Sequence, residues 1–128
     1  MDVVFLSRFF VFAFFLNLVW ELLHSQLYIT CYKLPLRKYV RLMFVMSLKD
    51  AFFILVFYSV SVFIFNTIVL QLSFFALISL GFSFIDEKIS LRKKRWQYGK
   101  AMPLFFGVGV TPLLEVAVTG LLVWWLIT

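Results

Sequence analysis

Charge is scarce in this sequence. Only 14% of its 128 residues are Asp, Glu, Lys or Arg, where a soluble domain carries about 25%. Cysteine occurs once, as Cys31, which excludes an internal disulfide and a thiolate metal cluster. Histidine also occurs once, as His24. There is no glycine-rich phosphate loop, no Ser-His-Asp arrangement and no complete metal motif. No internal repeat or low-complexity linker interrupts the chain. The first apolar stretch has Asp2 before it in place of a basic region and no small-residue cleavage site after it, so no cleavable signal peptide is expected.

What fills the chain is apolar. Hydrophobic residues make up 64% and aromatic residues 21%, and the mean hydropathy is +1.04. That composition argues against a soluble globular enzyme, a disordered tail and a nucleic-acid module. The net charge of +6 fits short basic loops attached to a membrane better than nucleic-acid binding. The expected fold is an all-α membrane protein in which residues 1–128 form one transmembrane helical domain. Membrane lipids are the expected partners, and no nucleic acid, cofactor or bound metal is expected. Assembly with itself or with a membrane partner is left open.

A spanning helix needs roughly 20 residues, so four spans with short connections use the whole chain. The first runs from about residue 3 to 28. The charge-free tract Ala51–Phe84 has 34 residues, roughly 50 Å as one helix against a hydrocarbon core of about 30 Å. It therefore divides, with Asn66-Thr67 as the natural turn, into helices at about 43–65 and 67–90. The last span covers about 104–127. Five cations from Lys33 to Lys49 and six from Lys88 to Lys100 flank the middle pair, and only Arg8 lies elsewhere. Four spans put eleven of the 12 cations on one side, whereas three spans would split the two basic loops between the two sides. The positive-inside rule prefers four, with both basic loops cytoplasmic, both termini outside, and a bacterial inner membrane as the expected location. Trp124 and Trp125 would anchor the outer interface, Trp96 and Tyr98 the inner one.

The polar residues within these spans are few and patterned. Asn17, Glu21, His24 and Tyr28 are spaced 4, 3 and 4 and share one stripe if the first helix reaches Tyr28. Polar groups in a membrane helix face the bundle interior or a cavity. Glu21 and His24, three apart, can form an acid/base pair; the plainer reading is that they tie helices together. Glu21-x-x-His24 is also half of a carboxylate di-iron motif; with a single histidine a di-iron site within one chain is disfavoured, and a mononuclear site or one shared across a dimer stays as a minor alternative. Ser79, Ser83, Asp86 and Ser90 form a similar stripe on the third helix. Asp86 and Glu87 close that helix, within reach of Lys88, Arg92 or Arg95. Ser47-Leu-Lys-Asp50 resembles a capping box opening the second helix. Gly107, Gly109 and Pro112 argue against one continuous last helix. Thr111 as N-cap with Pro112 in the first helical position predicts a broken or re-entrant start, with Glu115 in the first turn of a half-helix.

Trp20-Glu21-x-x-His24-x-x-Leu27-Tyr28, a later Asp50, and Arg95-Trp96-x-Tyr98-x-x-x-Met102-Pro103 followed by Gly107-x-Gly109-x-x-Pro112-Leu113-x-Glu115 resemble a set of small bacterial integral membrane proteins of unknown function. Lys49 stands where glycine often precedes the aspartate, and Glu115 where glutamine is usual. The resemblance implies no activity. It does imply that Glu21, Asp50, Asp86 or Glu87, Trp96, Tyr98 and Glu115 belong together.

By depth, Glu21, Asp50 and Glu115 should meet near the cytoplasmic face, with Asp86 or Glu87 at the rim. Carboxylates crowded in low dielectric cannot all stay ionised without compensating cations. The expected catalytic residues are Glu21, His24, Asp50, Glu87 and Glu115, and the expected binding residues are Asn17, Tyr28, Asp86, Arg95, Trp96 and Tyr98. The expected function is modification of a lipid or isoprenoid by acid/base chemistry. The alternatives are a lipid- or ion-binding or transport protein, and a non-catalytic membrane subunit.

Overall fold

The computed structural model describes residues 2–128 and is helical over most of its length. In chain order it comprises α1 (Val3–His24), a 3-10 turn (Ser25–Leu27), the short α2 (Ile29–Tyr32), α3 (Leu36–Ile64), α4 (Ile68–Arg92), the two-residue strands β1 (Leu104–Phe105) and β2 (Val108–Gly109), and α5 (Val110–Ile127). Three stretches are long and apolar enough to cross a membrane: Val3–Leu27, Ile68–Arg92 and Val110–Ile127. α1 packs against α3 and α5, and α4 packs against α3 and α5.

Local chemistry explains the helix ends. The Asp2 carboxylate accepts from the Phe5 amide at 2.7 Å, capping α1. Pro35 immediately precedes α3, where its missing N–H costs nothing. α3 and α4 part at Phe65–Thr67, the turn expected from Asn66-Thr67. α3 begins seven residues earlier than the expected 43, because nothing in Leu36–Leu42 breaks a helix and basic side chains can extend from its exposed turns. The capping-box reading of Ser47 and Asp50 is overturned by this. Both residues lie inside α3, both are buried, and the Ser47 hydroxyl donates back to the Met43 carbonyl at 2.7 Å.

The last helix is interrupted as expected, but by different means. Leu104–Phe105 pairs antiparallel with Val108–Gly109 around a two-residue turn. Phe106 (φ 52°) and Gly107 (φ 81°) both adopt left-handed backbone, as a tight hairpin turn of this hand requires. Gly109, and not Thr111, is the N-cap of α5. Pro112 is therefore the third helical residue, still within the first turn, where an absent N–H is tolerated, and Glu115 lies in the second turn. The hairpin is apolar and exposed at Leu104, Phe105 and Phe106.

The apolar core occupies one end of the helix assembly. Phe9, Ile54, Phe75 and Val123 are fully buried there, and Tyr58 stacks between Phe9 and Trp124 at centroid separations of 4.5 and 4.6 Å. Trp124 is thus a core residue, because it fills the space between Tyr58 and Phe75, while Trp125 is 75% exposed. Outward faces of the helices are apolar, with Phe15, Phe63 and Leu77 exposed. The buried polar residues collect mainly at the other end.

Candidate functional site

Four elements bring their polar residues to one place. Glu21 and His24 come from the last turn of α1, Asp50 from the middle of α3, Ser83 and Glu87 from the end of α4, and Glu115 from the start of α5. They line one cavity of about 50 Å³, room for a small ion or a few waters. Each of these residues is buried, and Glu115 is only 3% exposed.

His24 is the hinge of the arrangement. Its Nε2 lies 3.1 Å from Glu21 Oε2 and 3.6 Å from Glu115 Oε1. Its Nδ1 lies 3.0 Å from Thr111 Oγ1. The Thr111 hydroxyl in turn donates to the Met102 sulfur at 3.4 Å. One ring nitrogen of His24 thus faces Thr111 and the other faces the two carboxylates, with the donor and acceptor roles set by the tautomer. The Trp20 indole N–H donates to the Thr111 carbonyl at 3.0 Å, joining α1 to the start of α5. The Asp50 carboxylate lines the same cavity as Glu21 and Glu115. Oε2 of Glu115 is buried with no partner among the described residues, as is the hydroxyl of Ser83.

Beside this group, Glu87 anchors a second one. Its Oε1 accepts from Tyr98 OH at 2.7 Å, Trp96 Nε1 at 2.8 Å and Tyr28 OH at 3.1 Å. Tyr98 OH also accepts from the Gly109 amide at 2.9 Å. Backbone bonds support the contact: the Ile29 amide donates to the Gln97 carbonyl and the Gly99 amide to the Leu27 carbonyl, at 2.9 and 2.7 Å. Desolvation, followed by the nearby Glu87 charge, pushes the Tyr28 phenol far above its ordinary range. Desolvation and Glu87 also raise Tyr98, against the opposing Gly109 amide. Both phenols therefore remain donors across the neutral range.

The stripe on α1 does face inward, and Asn17, Glu21, His24 and Tyr28 are all buried. The helix itself ends at His24. Tyr28 reaches the interior from extended backbone bridged to Tyr98. Asn17 lies apart from the cavity and acts between helices: its amide donates to the Ala13 carbonyl at 2.7 Å, and its Oδ1 accepts from Thr119 at 3.4 Å. Asp86 pairs with Lys49 at 2.9 Å, and not with Lys88, Arg92 or Arg95, because α3 presents Lys49 across from it. Both partners are near 30% exposed, so this is a rim contact of small energetic weight. Arg95 leaves the acids altogether and donates to Ser90 Oγ at 3.4 Å. With Lys49 engaged at the rim, His24 is the basic side chain among the buried carboxylates.

Thr111 and Trp20 are parts of the site whose roles the sequence does not announce. Thr111 was readable only as a helix cap. Its spacing of four from Glu115 is the signal that places both on one face.

A second hollow adjoins the first. It is a groove of about 320 Å³ bordered by Tyr32, Leu34, Leu36 and Tyr39, and it shares Ser25 and Cys31 with the acidic cavity. Comparison with known protein families, curated proteins and solved structures gave no match.

Proposed function

We propose that this chain is a four-span membrane enzyme that modifies a lipid or isoprenoid by proton transfer at the cytoplasmic membrane face. The observation that carries the reading is the junction of two unlike hollows. A buried cluster of four carboxylates and one imidazole adjoins a shallower, largely apolar groove, and the two share Ser25 and Cys31. An amphipathic substrate can lay its chain in the groove and bring a polar or unsaturated end to the acids. Asp50, Glu87 and the Glu21–His24–Glu115 group supply proton donors and acceptors at fixed positions, the requirement for general acid–base catalysis. Proton removal at one carbon and delivery at another needs no external oxidant or reductant.

Four spans follow if α3 crosses as well. From Leu42 to Ile64 its only acidic or basic side chains are Lys49 and Asp50. Asp50 faces the cavity and Lys49 pairs with Asp86, so this stretch of about 23 residues, about 34 Å as a helix, presents little charge to lipid. The apolar hairpin tip at Leu104–Phe106 supports a membrane-facing loop. Both basic loops are then cytoplasmic and both termini outside, in the inner membrane of a bacterium. A cation-binding or transport role draws support from the same surplus of buried carboxylates and is separated by the turnover measurement below.

Lipid extracts of cells expressing the wild-type chain, compared by mass spectrometry with extracts of cells expressing Glu21→Gln or Asp50→Asn, test the proposal. A lipid species should change in amount with the wild type and revert in both variants at equal protein level. Identical lipid profiles in all three, with reporter fusions confirming membrane insertion, would sink the enzyme reading.

A further inference from the structure

We propose that Glu21, His24 and Glu115 form a mononuclear site for a divalent transition-metal ion, zinc or iron(II) in chemical class. The proposal goes beyond the enzyme reading and stands without it. One ligand atom from each residue lies within 4.8 Å of the others, and all three residues are buried. The measured separations suit an ion more closely than that limit requires. Ligands about 2.0–2.1 Å from a tetrahedral zinc lie about 3.3 Å apart. His24 Nε2 stands 3.1 Å from Glu21 Oε2 and 3.6 Å from Glu115 Oε1.

Three further observations point to a cation at this place. Glu115 Oε2 is buried without a partner among the described residues while its side chain lines the cavity, and an orphaned buried carboxylate oxygen is costly. The Nδ1 of His24 is held by Thr111 Oγ1, and such a partner on the far nitrogen of a metal-binding histidine fixes the ring and its tautomer. Nε2 itself lies between the two carboxylates, where a metal ion would take the place of its proton. Charge balance agrees. Glu21, Asp50 and Glu115 share the cavity, while the nearby Lys49 is engaged by Asp86. Two carboxylates and an imidazole supply the oxygen and nitrogen donor types that zinc and iron(II) take, with one imidazole fewer and one carboxylate more than the two-histidine, one-carboxylate sets. The third carboxylate, Asp50, remains beside the ion as a proton acceptor, so the acid/base reading then rests on Asp50.

The test uses the full chain, purified in mild detergent, stripped with chelator and titrated with zinc or cobalt(II) alone. About one ion per chain should bind, and zinc should raise the melting temperature. Cobalt should give the visible absorption of a four- or five-coordinate site. His24→Ala and Glu115→Gln should weaken zinc binding by at least about 100-fold. Thr111→Ala, which removes only the imidazole's support, should weaken it about 10–100-fold. Cys31→Ser should bind as the wild type does, since the thiol is no ligand. Helical circular dichroism of each variant separates lost binding from lost folding. No saturable binding by the folded wild type, unchanged binding in folded His24→Ala and Glu115→Gln, or loss of binding in Cys31→Ser would each overturn the site. Metal binding without lipid turnover would leave the site standing and remove only the enzyme reading.

Discussion

Gly120→Leu is expected to destabilise the folded protein by about 3 kcal/mol or more, at the upper end of what overpacking a core costs. A Cβ added at Gly120 would collide with the Phe75 ring, at Cζ and at 2.7 Å from Cε1, and would meet Ile54 Cγ2 at 3.3 Å. Phe75 cannot swing aside: it is fully buried and packs edge-on against Trp124. α4 and α5 meet at this glycine, so a larger side chain must either separate the two helices or force Phe75 from its rotamer. Denaturant unfolding in detergent measures the effect. A variant that unfolds at the wild-type midpoint would show that α4 and α5 do not pack here.

Glu87→Leu is expected to cost a similar amount, for an electrostatic reason. The substitution leaves Tyr28 OH, Trp96 Nε1 and Tyr98 OH without their shared acceptor. Each buried donor stranded in this way costs about 1–3 kcal/mol; Tyr28 is the most deeply buried of the three, and the other two can recover part of the loss from water. A total of about 3 kcal/mol is therefore expected. Glu87→Gln keeps a carbonyl acceptor and should lose only about 1 kcal/mol. The damage should be local as well. Glu87 ties α4 to the segment from Trp96 to Gly109, so amides there should exchange hydrogen faster in Glu87→Leu, by about 100-fold if the local cost is near 3 kcal/mol. Unchanged exchange across that segment would mean that the three contacts do not hold the loop.

Much of this architecture is legible in the sequence because polar residues are rare in it. Against a background of Phe, Leu and Val, the 4-3-4 spacing of Asn17, Glu21, His24 and Tyr28 is conspicuous, and all four are buried as it predicts. The turn at Asn66-Thr67 and the interruption before α5 were readable from length and from glycine and proline placement. Depth alone placed Glu21, Asp50 and Glu115 together. What failed was local. Ser47 and Asp50 match a capping box, but a cap pattern inside a continuous helix is overridden when the preceding residues have no reason to stop. Asp86 lies on a stripe with Ser79 and Ser83, yet its partner comes from α3, which no spacing within α4 can reveal. The hairpin at residues 104–109 depends on left-handed backbone at Phe106, an uncommon conformation for an aromatic residue. Thr111 and Trp20 became visible only when α1 and α5 were brought into contact.

The resulting site is poorly optimised for stability. Several acids sit together under low exposure, and two buried oxygens at the site, Glu115 Oε2 and the Ser83 hydroxyl, lack a partner among the described residues. Each unsatisfied group subtracts from the stability of the fold. Sites that bind or react commonly carry such a penalty.

The most direct measurement is therefore made on Asp50→Asn, with melting temperature and lipid turnover recorded on the same purified preparation. Asparagine nearly preserves the shape and removes one buried carboxyl group that is not among the proposed metal ligands. The melting temperature should hold or rise, because crowding with Glu21 and Glu115 is relieved, while turnover of the lipid identified from the wild type should fall by about 100-fold or more, the scale of general acid–base catalysis. A melting temperature that falls together with turnover would contradict the account, making the cluster a packing element. Undiminished turnover in a stable Asp50→Asn protein would contradict it as well.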